Sequence, residues 1–134
     1  MTEIIRKSDE EWKRQLTAEQ YAVTRQRGTE PAFSGAYYHH TATGAYHCIC
    51  CGASLFLSRD KFESGTGWPS FTQPVKADAL DTTPDYSHGM TRVEVTCRRC
   101  QAHLGHVFDD GPPSTGQRFC INSLALDFRE LAGE

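Results

Sequence analysis

Two Cys-x-x-Cys pairs, Cys48 with Cys51 and Cys97 with Cys100, stand out in a chain that holds six cysteines and six histidines. Together they supply four thiolates, which suit tetrahedral zinc, and a four-thiolate site is closed, with no coordination position left for a substrate. The expectation is therefore one structural zinc ion. Forty-five residues separate the pairs, so the ion would tie two distant strand-turn segments together. Its binding energy would be folding energy. Cys50 could replace a neighbour as ligand, but Gly52 favours Cys48 with Cys51, because glycine permits the tight turn of a metal knuckle. The competing reading is two redox pairs or ordinary buried thiols.

Cys120 lies outside these pairs, in the run Gln117-Arg118-Phe119-Cys120-Ile121-Asn122-Ser123. On a strand, Arg118, Cys120 and Asn122 share one face. An arginine beside a thiol favours the thiolate, and Asn122 offers a hydrogen bond on the same surface. This is the pattern of a nucleophile, set against that of a lone buried thiol. His103-Leu104-Gly105-His106 adds two imidazoles, the usual general acids and bases near neutral pH. A bulge at Gly105 would aim both rings to one side. Asp109 and Asp110 follow. Trp68, between Gly67 and Pro69, is placed to form the wall of an apolar pocket.

These residues need elements to position them. Ser8 with Glu11 and Thr17 with Gln20 have capping-box spacing, so two short helices are expected within residues 1–27. Gly28 and Pro31 stop them. From Ala32 onward, Gly and Pro punctuate short β-rich runs at Ala45–Ile49, Thr91–Thr96, His106–Phe108 and Phe119–Phe128. That spacing predicts an all-β, mainly antiparallel body. Ser64–Ser70 and Asp109–Gly116 read as loops. The 134 residues are expected to form one domain, with the helical segment 1–27 against a zinc-pinned β body over 28–128.

Composition excludes other classes. A formal net charge of −3 argues against a nucleic-acid partner, which needs a dense cationic footprint. No apolar run approaches membrane-span length. The opening MTEIIRKSDEEWK lacks the apolar segment of a secretory signal, so a cytoplasmic location is expected. A zinc-dependent binding module and an acyl-transferring Cys–His enzyme both stay open on the residues alone.

The blocks CxxCG at Cys48–Gly52, SGTGWPSF at Ser64–Phe71, CRRCQAHLGHVFDDGPPSTG at Cys97–Gly116 and RFCINS at Arg118–Ser123 strongly resemble the methionine sulfoxide reductase B family. GTEPAFSG at Gly28–Gly35 and SHGM at Ser87–Met90 extend the resemblance across most of the chain. It implies reduction of the R epimer of peptide-bound methionine sulfoxide, and two small antiparallel sheets in a compact sandwich-like body. It also implies zinc away from the active site. By motif match Cys120 is the nucleophile, His103, His106, Asp110, Arg118 and Asn122 surround it, and Trp68 holds the substrate's methyl group. His106 or His103, helped by Asp110 through water, would supply the proton. Oxidised proteins, and thioredoxin or a similar thiol reductant, are the implied partners of a monomer.

One departure matters. Many members of that family carry a resolving cysteine where this chain has Thr66. Either Cys50 resolves the sulfenic acid formed on Cys120, or an external thiol reduces it directly. A disulfide needs Cα atoms about 4.4–6.8 Å apart, a demanding condition for a residue beside a zinc ligand.

Overall fold

The computed structural model describes residues 5–130. The outermost parts of the expected domain, residues 1–4 and 131–134, lie outside the described residues. Both capping boxes form. Ser8 caps α1 (Asp9–Gln15) and Thr17 caps α2 (Ala18–Arg25), each with the reciprocal bond from the third helical residue. Such short helices are marginal alone, and tertiary contacts hold these two. Trp12 is buried under the Arg25 guanidinium, 4.4 Å from its ring centre. Gln15 donates to the Cys50 carbonyl at 2.6 Å and Arg25 to the Cys100 carbonyl at 2.8 Å, so the helices are tethered to both cysteine turns.

The rest is antiparallel sheet, as the spacing of turn residues predicts. β1 (Gly44–Cys48), β2 (Ser54–Leu57) and β9 (Leu126–Glu130) form a three-stranded sheet in the order β2-β1-β9. β3 (Lys61–Phe62), β4 (Ser70–Phe71), β5 (Leu80–Asp85), β6 (Arg92–Cys97), β7 (His103–Phe108) and β8 (Arg118–Ile121) form a six-stranded sheet in the order β3-β4-β8-β7-β6-β5. An aromatic seam joins the sheets. Phe56 of β2 stacks on Phe71 of β4 at 4.4 Å, and Tyr46 of β1 meets the same Phe71 edge-on at 5.2 Å. All three rings are fully buried, each worth about 1.5–3 kcal/mol of apolar burial.

The run Phe119–Phe128, expected as one strand, is two. A 3-10 turn at Ser123–Ala125 carries the chain from β8 in the large sheet to β9 in the small one. The reason is visible in the Asn122 side chain, which hydrogen-bonds backbone on two other segments and so ends the ladder. β7 is longer than expected, beginning at His103. Strands β2, β3 and β4 are only two to four residues long, and β5 carries Pro84, so none of them declares itself in sequence.

Candidate active site and metal centre

The two cysteine turns are built alike. Cys48 N–H donates to Ala53 O at 2.8 Å and Gly52 N–H to Cys48 O at 2.8 Å. Cys97 N–H donates to Ala102 O at 2.9 Å and Gln101 N–H to Cys97 O at 2.7 Å. The residue after each pair turns left-handed, Gly52 at φ +80° as expected and Gln101 at φ +66°, the latter at a cost of about 1–2 kcal/mol. The four sulfurs of Cys48, Cys51, Cys97 and Cys100 lie within 4.8 Å of one another, with the Cys48–Cys100 and Cys51–Cys97 pairs at 3.6 Å. A tetrahedron with zinc–sulfur bonds of about 2.3 Å has edges of about 3.8 Å. The donor set and its spacing therefore fit zinc, and the four cysteines form a zinc-binding site. Cys50 is buried beside them, near Cys48 and Cys100.

The face that carries Cys120 belongs to the six-stranded sheet. Reading across β6, β7, β8 and β4, Glu94 stands opposite His106, His106 opposite Cys120, and Cys120 opposite Ser70. Residues directly opposite share a face, so register alone aligns a carboxylate, an imidazole and a thiol. His103 and His106 are three apart, which on a regular strand would put them on opposite faces. A bulge prevents this. Val95 pairs with Gly105 but Thr96 pairs with His103, so Leu104 is the extra residue and both rings reach one side. The rings meet edge to face with centres 5.6 Å apart. Gly105 is required there, because a Cβ would collide with the Cys120 carbonyl.

Cys120 borders a cavity of about 90 Å³, walled by Trp68, Phe108, His106, Asn122, Thr29 and Arg92. Trp68 is held by its indole N–H, which donates to the Glu30 carbonyl at 2.9 Å. The Glu30 N–H donates to Asn122 Oδ1 at 3.0 Å, and Asn122 Nδ2 donates to Leu104 O at 3.0 Å. One buried segment thus ties the cavity wall to the end of β8. Arg118 lies 4.4 Å from the ring centre of Phe108 and grips Asp110 through two bonds of 2.8 and 3.1 Å. Each ion of that pair shifts the other toward its charged form.

Two expectations change here. Arg118 does favour the Cys120 thiolate, as does the Thr66 hydroxyl, but burial outweighs both and pushes the thiol above its ordinary value. Asp110 is engaged by Arg118, and the carboxylate on His106 is Asp85, whose Oδ2 lies 2.8 Å from His106 Nε2. His103 Nδ1 lies 2.8 Å from Glu94 Oε2. Burial moves the His103 imidazole toward its neutral form.

Sequence reasoning missed Asp85 and Glu94, and quoted Glu30 only within a block. The available signals were weak. Asp85 accepts the Ser87 N–H at 3.0 Å, a turn signature any Asp-x-Ser can show. Glu94 is simply a charged residue in a strand.

Among the described residues no helix is long and apolar enough to cross a membrane. Residues 16–130 match the SelR domain family. The chain is 64% identical over 122 residues to a peptide methionine sulfoxide reductase MsrB of Thioalkalivibrio sulfidiphilus, covering 91% of this chain and 89% of that one. It is 56% identical to the proteins of the same description from Chromohalobacter salexigens, over 96% and 97% of the two chains, and from Leptospira interrogans, over 94% and 96%. With that domain spanning most of its length and those relatives matched nearly end to end, the chain belongs to the peptide methionine sulfoxide reductase MsrB family.

Proposed function

We propose that this protein reduces the R epimer of methionine sulfoxide in oxidised proteins, with Cys120 as the attacking group. The observation that carries the assignment of Cys120 is its place opposite His106 at the edge of the Trp68 cavity. A sulfoxide sulfur is a poor electrophile until its oxygen is protonated or strongly hydrogen-bonded. The arrangement supports that sequence of events. The S-methyl group packs against Trp68 and Phe108, the sulfoxide oxygen takes a proton through His106 or His103, and the Cys120 sulfur attacks. Oxygen passes to Cys120, which becomes a sulfenic acid as the substrate sulfur is reduced by two electrons and methionine leaves. Asn122 and Glu30 hold the wall, Arg118 with Asp110 holds the rim, and the zinc site acts on stability alone.

Regeneration proceeds by direct attack of an external thiol such as thioredoxin. Cys50 is only 4% exposed and lies beside the zinc sulfurs, whereas Cys120 borders the Trp68 cavity. We further read residues 1–134 as one catalytic unit, a monomer acting in the cytoplasm. Cys120→Ser tests the central assignment. It is expected to leave zinc content and melting temperature unchanged and to abolish turnover of methionine R-sulfoxide with dithiothreitol, and retained turnover would refute it. Thiol titration after one turnover without reductant is expected to show one thiol lost. Two lost would restore Cys50 as the resolving group.

A further inference from the structure

Two histidine–carboxylate pairs flank the Cys120 cavity, and one arginine joins them. Arg27 Nη2 lies 2.8 Å from Glu94 Oε1 and 3.8 Å from Asp85 Oδ1. Glu94 offers its other oxygen to His103 Nδ1 at 2.8 Å, and Asp85 offers its other oxygen to His106 Nε2 at 2.8 Å. The result is a chain His103–Glu94–Arg27–Asp85–His106. Its centre is placed by backbone. Arg27 follows α2 and takes φ +57°, an uncommon conformation for a non-glycine residue, and from there its side chain reaches both acids. Asp85 is 6% exposed and Glu94 7%. Asp85 is further held by the Ser87 N–H at 3.0 Å and by Arg92 at 3.6 Å.

The two pairs use opposite ring nitrogens. An ionised carboxylate only accepts hydrogen bonds. Asp85, kept well below the usual carboxylate range first by its His106 bond and then by Ser87, must therefore receive Nε2–H from His106. Glu94, salt-bridged to Arg27, receives Nδ1–H from His103. His106 is thus left with Nδ1 to serve the Cys120 cavity that it lines. His103 is left with Nε2, which is buried and has no hydrogen-bond partner. His103 borders an adjoining cavity of about 210 Å³, which shares Thr29, Arg92 and His106 with the first.

We infer that Asp85, Glu94 and Arg27 are positioning residues that fix the two histidines in opposite tautomers, so that His106 Nδ1 takes the Cys120 thiol proton as sulfur attacks and passes it to the sulfoxide oxygen, while His103 stands behind it. The inference rests on the function proposed above. It names which of the two imidazoles touches the sulfoxide and through which atom. The second carboxylate keeps His103 from competing, since its only unbonded nitrogen is buried and His103 is not among the residues that line the Cys120 cavity. A wrong tautomer presents a donor where an acceptor is needed, or the reverse, and can disable a histidine whose geometry is otherwise intact.

Two-bond proton–nitrogen correlation spectra of the zinc-loaded, 15N-labelled protein read the tautomers directly, with His103→Gln and His106→Gln spectra supplying assignments. At a pH where both rings are neutral, His106 is expected to show a bare Nδ1 and a protonated Nε2, and His103 the reverse. The same tautomer on both rings, or His106 with Nδ1 protonated, overturns the inference. Asp85→Asn, whose amide can donate to Nε2, is expected to move His106 to the other tautomer and lower kcat tenfold or more with KM changed less than threefold. Asp85→Glu is expected to restore the tautomer and part of kcat. An Asp85→Asn protein with unchanged ring signals and kcat also overturns it. The wild-type spectrum decides the matter if that variant fails to fold. Should Cys120→Ser retain turnover, the reaction assigned above fails while the tautomer result stands by itself, so the two failures are distinguishable.

Discussion

Asn122→Ala should be the most informative single change near Cys120 that leaves the thiol itself in place. The side chain is 3% exposed and makes two hydrogen bonds, both of 3.0 Å, to backbone on two different segments. Truncation strands the buried Glu30 N–H, which costs about 1–3 kcal/mol. It also removes the Nδ2 bond to Leu104 O, worth a net of about 0.5–1.5 kcal/mol. Leu104 O still receives the Asn122 backbone N–H at 2.9 Å, so no second group is orphaned. The sum is about 1.5–4.5 kcal/mol, a large share of a typical 5–15 kcal/mol but not all of it. For a chain of 134 residues each kcal/mol is worth about 3–5 °C, so the melting temperature should fall by about 5–22 °C. Denaturant titration followed by circular dichroism gives the free energy, and steady-state assays run on the folded fraction give activity. Because the Glu30 carbonyl also anchors Trp68 at 2.9 Å, kcat/KM should fall with KM rising. Asn122→Asp keeps the acceptor for Glu30 but sets a carboxylate oxygen against Leu104 O, and should destabilise at least as much. A loss below about 0.5 kcal/mol in Asn122→Ala would refute the claim that this side chain holds the cavity wall.

Two other outcomes follow from the same geometry. Stripping zinc with a chelator at neutral pH should unfold the domain, because both cysteine turns and both helices hang on the site; an apo protein with an unchanged melting curve, checked by metal analysis, would contradict this. The Cys120 thiol, raised by burial against the opposing pull of Arg118, should be alkylated by iodoacetamide with a midpoint above that of an ordinary cysteine, and Arg118→Met should move the midpoint higher still. The sign carries over to stability: a thiol raised in the fold favours the folded state at pH below its unfolded value, and that advantage fades as pH climbs through the folded one. A midpoint below the ordinary value would overturn the assignment of burial as the dominant effect.

Local chemistry was readable from sequence, and long-range pairing was not. The capping boxes at Ser8 and Thr17 lie within four residues of what they bond, so they declare themselves. The zinc ligands declare themselves because two short pairs repeat the same motif. Cys120 with Arg118 is a statement about alternation on one strand, and β8 carries both residues. What failed concerns residues that meet only through register. Asp85 is 21 residues from His106 and Glu94 is 9 from His103, and nothing near either acid announces a histidine. Asp110, four residues after His106, was the natural local guess; the β7–β8 loop instead delivers it to Arg118. The break at Asn122 was hidden for the same reason, since the residues that end the ladder are Glu30 and Leu104, far away in the chain.

Burial of Cys120, which looks unfavourable for a nucleophile, suits the chemistry proposed for it. In oxygen transfer from a sulfoxide to a thiol the proton inventory closes within the site: one S–H bond is broken, one O–H bond is made on the cysteine sulfenic acid, and no proton is gained from or lost to water. A thiolate formed in advance would send its proton to solvent and then need one back to activate the sulfoxide oxygen. A thiol kept protonated by its surroundings, with His106 beside it on the neighbouring strand, retains that proton until substrate arrives. Arg118 then has a narrower role than the motif suggested. It is committed to Asp110 and the face of Phe108, so in the proposed reaction its charge would moderate the cost of ionising Cys120 at the moment of attack without generating a standing thiolate that oxidants could reach.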